Sequence, residues 1–274
     1  MLRWIPDWIL YALALSVVLW AVFSGDSDDT PPPPPEAIQQ EGAMLPPPSA
    51  FDERVLVQVT APKSGIGTAF AVNGEGQWLT ARHVVEGCNE VSLLVAPGQY
   101  ASARSVVVSE KYDLALIETE TSPNPAPLDT ENDLRIGAYG FHVGYPQGRP
   151  GEAASRLMAR SNLISRGQRS NSESVLAWAE TGRTRGLMGS LGGLSGGPVY
   201  DQAGNVRGVI VAESARRGRI YTAAPETVAN FVKATGIDTM GETPRNFSKE
   251  TYGREADHAR RNLQVVKVAC SVEE

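Results

Sequence analysis

Residues 189–201 read GSLGGLSGGPVYD. One of its two serines, Ser195, follows Leu194 inside a glycine-rich run and stands just before Pro198 and a strand-like PVYD. A flexible linker has this composition. So has the backbone around a nucleophile that a substrate must approach closely. A serine hydroxyl attacks only if a base takes its proton, and the oxyanion it creates needs donors placed in advance. Gly193 lacks a Cβ and can turn its N–H inward beside that of Ser195. Gly196 and Gly197 let another backbone come near, and Pro198 fixes the exit.

Two upstream segments decide between these readings. QWLTARHVVEGC (77–88) ends a strand and presents His83 on a short turn, and imidazole is the usual general base near neutral pH. KYDLALIE (111–118) opens an apolar strand with Asp113, where a carboxylate can hold an imidazole in one tautomer. Alone, such a histidine is more often structural, and such an aspartate is often just a turn acid. In the order His83, Asp113, Ser195 they make the linker reading poor.

The rest of the body is β-like. Short runs separated by turn residues cover 55–61, 68–74, 77–81, 91–96, 102–110, 113–118, 137–145, 174–180, 206–214 and 219–224. This spacing, with 27 glycines in 274 residues, predicts an all-β fold of barrels or a sandwich. One helix is expected over 225–236, with Pro225 near its start, Val228, Phe231 and Val232 as an apolar stripe, and Gly236 just past its end. The tail, 241–274, is polar apart from Val265, Val266, Val268 and Ala269.

The N-terminus differs. Trp8–Phe23 is apolar except for Ser16 and the Tyr11 hydroxyl, and covers roughly 24 Å at about 1.5 Å per residue. No small-x-small exit follows, so residues 1–25 are expected to form an uncleaved transmembrane signal anchor; a cleaved signal peptide is the alternative. Arg3 before the run and Asp26, Asp28 and Asp29 after it place the N-terminus in the cytoplasm and the body outside. Residues 26–50 hold two proline runs and read as a stiff spacer, or as a ligand for a proline-binding module. The body is expected over 51–240 and a C-terminal extension over 241–274. A net charge of −6 gives no reason to expect nucleic acid. The two cysteines, Cys88 and Cys270, lack metal-site spacing, and no metal is expected. They are either one disulfide in an oxidising compartment or two buried thiols.

The pieces GIGTAFAV, LTARHVV, YDLALIE, VGYPQG, GLSGGPVYD and YTAAPETVANFV resemble the trypsin/chymotrypsin-fold serine proteases, most of all the bacterial high-temperature-requirement (HtrA/Deg-like) branch. The resemblance runs from about 51 to 238. It implies two six-stranded antiparallel β-barrels with the active site in the cleft between them. His83 would be the base, Asp113 its orienting acid, Ser195 the nucleophile, and the N–H groups of Gly193 and Ser195 the oxyanion hole. It implies protein or peptide substrates, no cofactor, and a bacterial inner-membrane protein with its protease domain in the periplasm. Gly189, Ser190, Val211, Ala212 and Glu213 would line the specificity pocket, with no acid at its presumed base. Too few residues follow Gly236 for a PDZ domain. One position departs from the pattern: Leu194 stands where digestive members carry Asp and Deg-like members often Asn. Leu194 cannot pair with a cut N-terminus, which leaves open what shapes the oxyanion loop. The alternatives are a latent binding protein with a collapsed oxyanion hole, and a structural envelope protein with an incidental serine.

Overall fold

The computed structural model describes residues 42–58, 63–122, 124–166, 171–241 and 243–273. The expected anchor and the first part of the proline-rich spacer lie outside the described residues. Among the described residues no helix is long and apolar enough to cross a membrane.

Fourteen strands, numbered in chain order, form two sheets among these residues. One sheet closes on itself. Its circuit is β8 (Tyr139–Gly144), β9 (Gly151–Arg166), β10 (Asn171–Arg183), β13 (Arg219–Ala223), β12 (Val206–Ser214) and β11 (Pro198–Tyr200), with β11 returning to β8. Every neighbouring pair in this ring is antiparallel. Here β1 (Glu53–Gln58) joins from outside, running parallel to β9 from Glu53↔Ser161 to Gln58↔Arg166.

The other sheet is open. Its order is β5 (Gln99–Ser102), β4 (Glu90–Ala96), β14 (Val265–Ser271), β2 (Gly65–Ala71), β3 (Gln77–Thr80), β7 (Ala115–Glu118) and β6 (Ser105–Val108). The expectation of two closed six-stranded barrels is therefore corrected: one barrel closes, and the other is a curled seven-stranded half-barrel. The expected single strand over 102–110 is in fact two. The chain bends at Ala103–Arg104, where the Ala103 N–H goes to Val91 O at 2.8 Å and the Arg104 N–H to Glu118 O at 2.7 Å. It leaves one edge of the sheet and joins the other, so a covalent corner stands where a closed barrel has a ladder.

The tail's apolar run becomes β14, seated between β4 and β2. Val265, Val266 and Val268 are buried there, which gives an apolar run in a polar tail its purpose. Helix α1 (Arg82–Val85) is a single turn; α2 (Pro225–Thr235) is the expected helix, ended by Gly236 at φ 70°. Helix α3 (Tyr252–Arg261) was not expected. It is pinned to β9 by buried Arg260, which donates to Glu152 Oε2 at 2.7 Å and Gly151 O at 3.0 Å. Cys88 and Cys270 form a disulfide with Cα atoms 5.5 Å apart, tying β14 to the chain just beyond α1.

A bond closing so long a loop restricts the unfolded chain strongly. The Cys88→Ala/Cys270→Ala variant is expected to lose about 2–5 kcal/mol of stability. Urea unfolding of variant and oxidised wild type, compared at equal slope, measures this.

Strand β9 escaped the sequence because its inward positions are not all apolar. Ser155, Arg156 and Ser161 are buried. Ser155 Oγ donates to Gly140 O at 3.2 Å and meets His142 Nε2 at 2.7 Å, while the Arg156 guanidinium lies 3.4 Å from the centre of the Tyr139 ring. Fixed partners offset the cost of burying Ser155 and Arg156, and alternation of apolar and polar residues is lost.

Candidate active site

His83 stands second in α1, which begins where β3 ends. Asp113 stands on the turn before β7, the neighbour of β3 in the sheet. The β3–β7 pairing thus brings the two side chains together. The His83 N–H donates to Asp113 Oδ1 at 3.0 Å, and His83 Nδ1 lies 2.7 Å from Asp113 Oδ2. A carboxylate can only accept, so Nδ1 carries the hydrogen and Nε2 is left free to take a proton. Burial by itself would lower the His83 pKa, but the Asp113 charge and hydrogen bond outweigh it and hold the imidazole above its usual value. Burial would raise Asp113, and the same pairing holds it below the usual carboxylate range.

Ser195 lies on the other wall. Its carbonyl accepts from Thr68 N at 2.9 Å, and the next N–H, that of Gly196, donates to Ile210 O at 2.7 Å. The loop is therefore bonded to β2 of the half-barrel and β12 of the barrel at once. Gly196 has φ 85°, and a Cβ there would overlap Thr68 O and Thr80 Oγ1 and sit 2.9 Å from Ala81 N. Only glycine lets Ser195 come this close to the end of β3, three residues before His83.

The shape of the 192–195 loop has a clear cause. Leu194 is 1% exposed and packs in the barrel core with Leu191, Val199 and Ile210. Its N–H donates to Leu191 O at 2.9 Å. The Gly192 carbonyl accepts from Gln147 N at 2.6 Å. Across a trans peptide, this turns the Gly193 N–H to the opposite side. Gly193 has φ 98°, and a Cβ there would lie 2.5 Å from Tyr145 O. The hub is Thr68, which is 0% exposed. Its Oγ1 donates to Gly193 O at 2.7 Å and accepts from Tyr145 N at 3.1 Å, and its own carbonyl accepts from Thr80 Oγ1 at 2.7 Å. Apolar burial and a threonine hub hold the loop in place of an ion pair. Thr68→Val keeps the shape but takes their partner from two backbone groups, the buried Tyr145 N–H and the half-buried Gly193 carbonyl. It is expected to cost about 2–4 kcal/mol, seen as a lower urea midpoint.

Two of the expected pocket residues, Ser190 and Glu213, meet. Glu213, on β12, accepts from the Ser190 hydroxyl with Oε1 and from Leu191 N with Oε2 at 2.8 Å. Val211 is buried and Ala212 half-buried beside it. Gly189 O accepts from Arg183 Nη1 at 2.8 Å, and Gln147 Nε2 reaches Met188 O at 2.6 Å and Ser190 O at 2.9 Å. Glu213, expected among the pocket-lining residues, thus lies against the 189–192 loop. The histidine His142 is buried in the barrel, and burial pushes its pKa down to about 3, so it stays neutral there.

Sequence reasoning missed Thr68, Gln147 and Glu173. The first two fall inside GIGTAFAV and VGYPQG, but nothing in those motifs says which loop they hold. Glu173 sits in a polar stretch with no motif at all. In the structure both its carboxylate oxygens lie 3.2 Å from Asp113 N.

Residues 67–209, more than half of the chain, match the model of the trypsin-like peptidase domain. The chain is 23% identical over 184 residues to the probable periplasmic serine endoprotease DegP-like of Pseudomonas savastanoi pv. phaseolicola, covering 64% of this chain and 36% of that protein. It is 31% identical over 194 residues to protease Do-like 5, chloroplastic, of Arabidopsis thaliana, covering 65% of this chain and 56% of that one. The chain thus spans between about a third and about half of the length of these curated relatives. Among solved structures, the Rv3671c protease of M. tuberculosis in its active form is similar with a TM-score of 0.52 at 19% identity, covering 75% of this chain and 100% of that one, a likeness of fold. By this match, carried over more than half its length, the chain belongs to the trypsin-like peptidase family, with serine proteases of the Deg type among its relatives.

Proposed function

We propose that the protein is a serine endopeptidase that hydrolyses peptide bonds of exported or misfolded proteins. Ser195 attacks the carbonyl carbon, and His83 Nε2 takes the hydroxyl proton. Asp113 holds the imidazole and stabilises the imidazolium, and the N–H groups of Gly193 and Ser195 receive the oxyanion. The acyl-enzyme bond to Ser195 Oγ forms as the peptide C–N bond breaks, and His83 passes its proton to the leaving amine. Water, activated by the same imidazole, then releases the second product. The Gly189–Ser190 loop and the Val211–Glu213 segment line the subsite for the residue before the cut. Residues 1–25 tether the chain to the membrane, residues 26–50 space it away, and the 51–240 body with its 241–274 extension works outside the cytoplasm, as befits a chain with DegP-like periplasmic relatives.

The observation that carries this reading is the Asp113–His83 pair, with 2.7 Å between Oδ2 and Nδ1. It leaves the imidazole basic and in the tautomer that a serine nucleophile needs. The buried Leu194 and the Thr68 bonds support an open oxyanion loop over a collapsed one. The test is labelling of the full chain with a fluorophosphonate probe beside His83→Ala. Labelling of wild type alone is expected. Equal labelling of both, or of neither, overturns the proposal.

A further inference from the structure

We propose that Glu173 is a positioning residue for the Asp113–His83 pair, reaching it from the closed barrel through the β9–β10 hairpin. The inference rests on the reading of that pair as orienting acid and base. Glu173 belongs to β10, opposite Leu163 of β9. Asp113 belongs to the half-barrel. The Asp113 N–H is shared between Glu173 Oε1 and Oε2, each 3.2 Å away. The two sheets are therefore bonded to each other at the orienting acid. Glu173 is 8% exposed, and among the described residues it forms no ion pair. A carboxylate buried this way is costly unless a specific partner needs it.

The charged groups that face it are Asp113, on the turn before β7, and Arg82 and His83, on α1. The cross-strand neighbour Leu163 carries no charge. Burial first, then the negative Asp113, pushes the Glu173 pKa up to about 7. Its charge therefore changes in the pH range in which His83 acts. Ionised, Glu173 adds a second negative charge behind Asp113 and favours the imidazolium; the same coupling raises the His83 pKa. Protonated, it withdraws that support and leaves the hydrogen bond to Asp113. The hairpin that carries it thereby reports the docking of one sheet on the other to the catalytic base.

The test follows the His83 ring by nitrogen NMR across pH in the full chain, with the resonance assigned by its loss in His83→Asn. Glu173→Gln keeps an acceptor for the Asp113 N–H and removes only the charge. Its His83 midpoint is expected to fall, and Glu173→Asp is expected to bring it back toward wild type. An unchanged midpoint in Glu173→Gln overturns the proposal. Where Glu173→Gln does not fold, Glu173→Ala is read in its place, and an unchanged His83 midpoint there also overturns the proposal. In parallel, Glu173→Gln is expected to react with a fluorophosphonate roughly three- to tenfold more slowly at the plateau, with its acid limb moved to lower pH. Wild type that fails to label would sink the hydrolase reading, while the NMR comparison would still decide the role of Glu173.

Discussion

Ser195→Ala in the full chain is expected to stop hydrolysis of an unfolded protein such as casein, with a loss of roughly 10⁴- to 10⁶-fold in kcat/KM. A methyl group has no lone pair to form the acyl bond and no proton for His83 to take. The fold should not change, because the bonds that fix this residue are made by its backbone. Thr68 N to Ser195 O at 2.9 Å and Gly196 N to Ile210 O at 2.7 Å both survive the substitution. Glycines at 193, 196 and 197 are untouched, and an unchanged urea midpoint checks this. Casein cleavage that persists in a folded Ser195→Ala protein would mean that another group does the chemistry.

Asp113→Asn is expected to cost roughly 10⁴-fold in kcat near neutral pH. The two oxygens of Asp113 accept from two donors on His83, the backbone N–H and Nδ1–H. Asparagine has one oxygen and one amino group. If its oxygen keeps the backbone N–H, its amino group faces Nδ1, which must then accept. The ring proton moves to Nε2, and the imidazole cannot take the Ser195 proton. Loss of the negative charge also lets burial dominate the His83 pKa, which falls. The effect on stability has a definite pH window. The raised His83 pKa contributes stability that is full below its unfolded value of about 6.5 and lost as pH rises through the folded value. The lowered Asp113 pKa contributes stability present above its unfolded value of about 4 and lost as pH falls through the folded one. Together they support the fold most between about pH 4 and about pH 6.5. Wild type minus Asp113→Asn, measured by urea unfolding across pH, should show a maximum in that window. A flat difference would mean that the pair is not charged in the fold.

The residues with the largest expected effects were readable because their chemistry is local. Ser195 sits among glycines whose positive φ and close contacts only glycine accepts, and that need is printed in GSLGGLSGGPVYD. His83 and Asp113 border apolar strands that pair with each other, so their order along the chain carried their meeting. Leu194 was visible as a departure, but its consequence was not. Only the barrel core shows that a leucine there anchors the loop by burial.

From the sequence by itself came the β-rich class, helix α2 with its terminal glycine, and the pairing of His83 with Asp113 ahead of Ser195 in its glycine-rich loop. Only the tertiary structure decided that the tail supplies β14 to the middle of the half-barrel, that β9 runs 16 residues through buried polar positions, and that Glu173 reaches Asp113 from the opposite sheet. The reason is physical. Turn geometry and periodicity are properties of neighbouring residues and leave a mark in the sequence. A ladder between strands about 200 residues apart, or a buried carboxylate satisfied by one distant N–H, depends on pairings that only the folded chain makes.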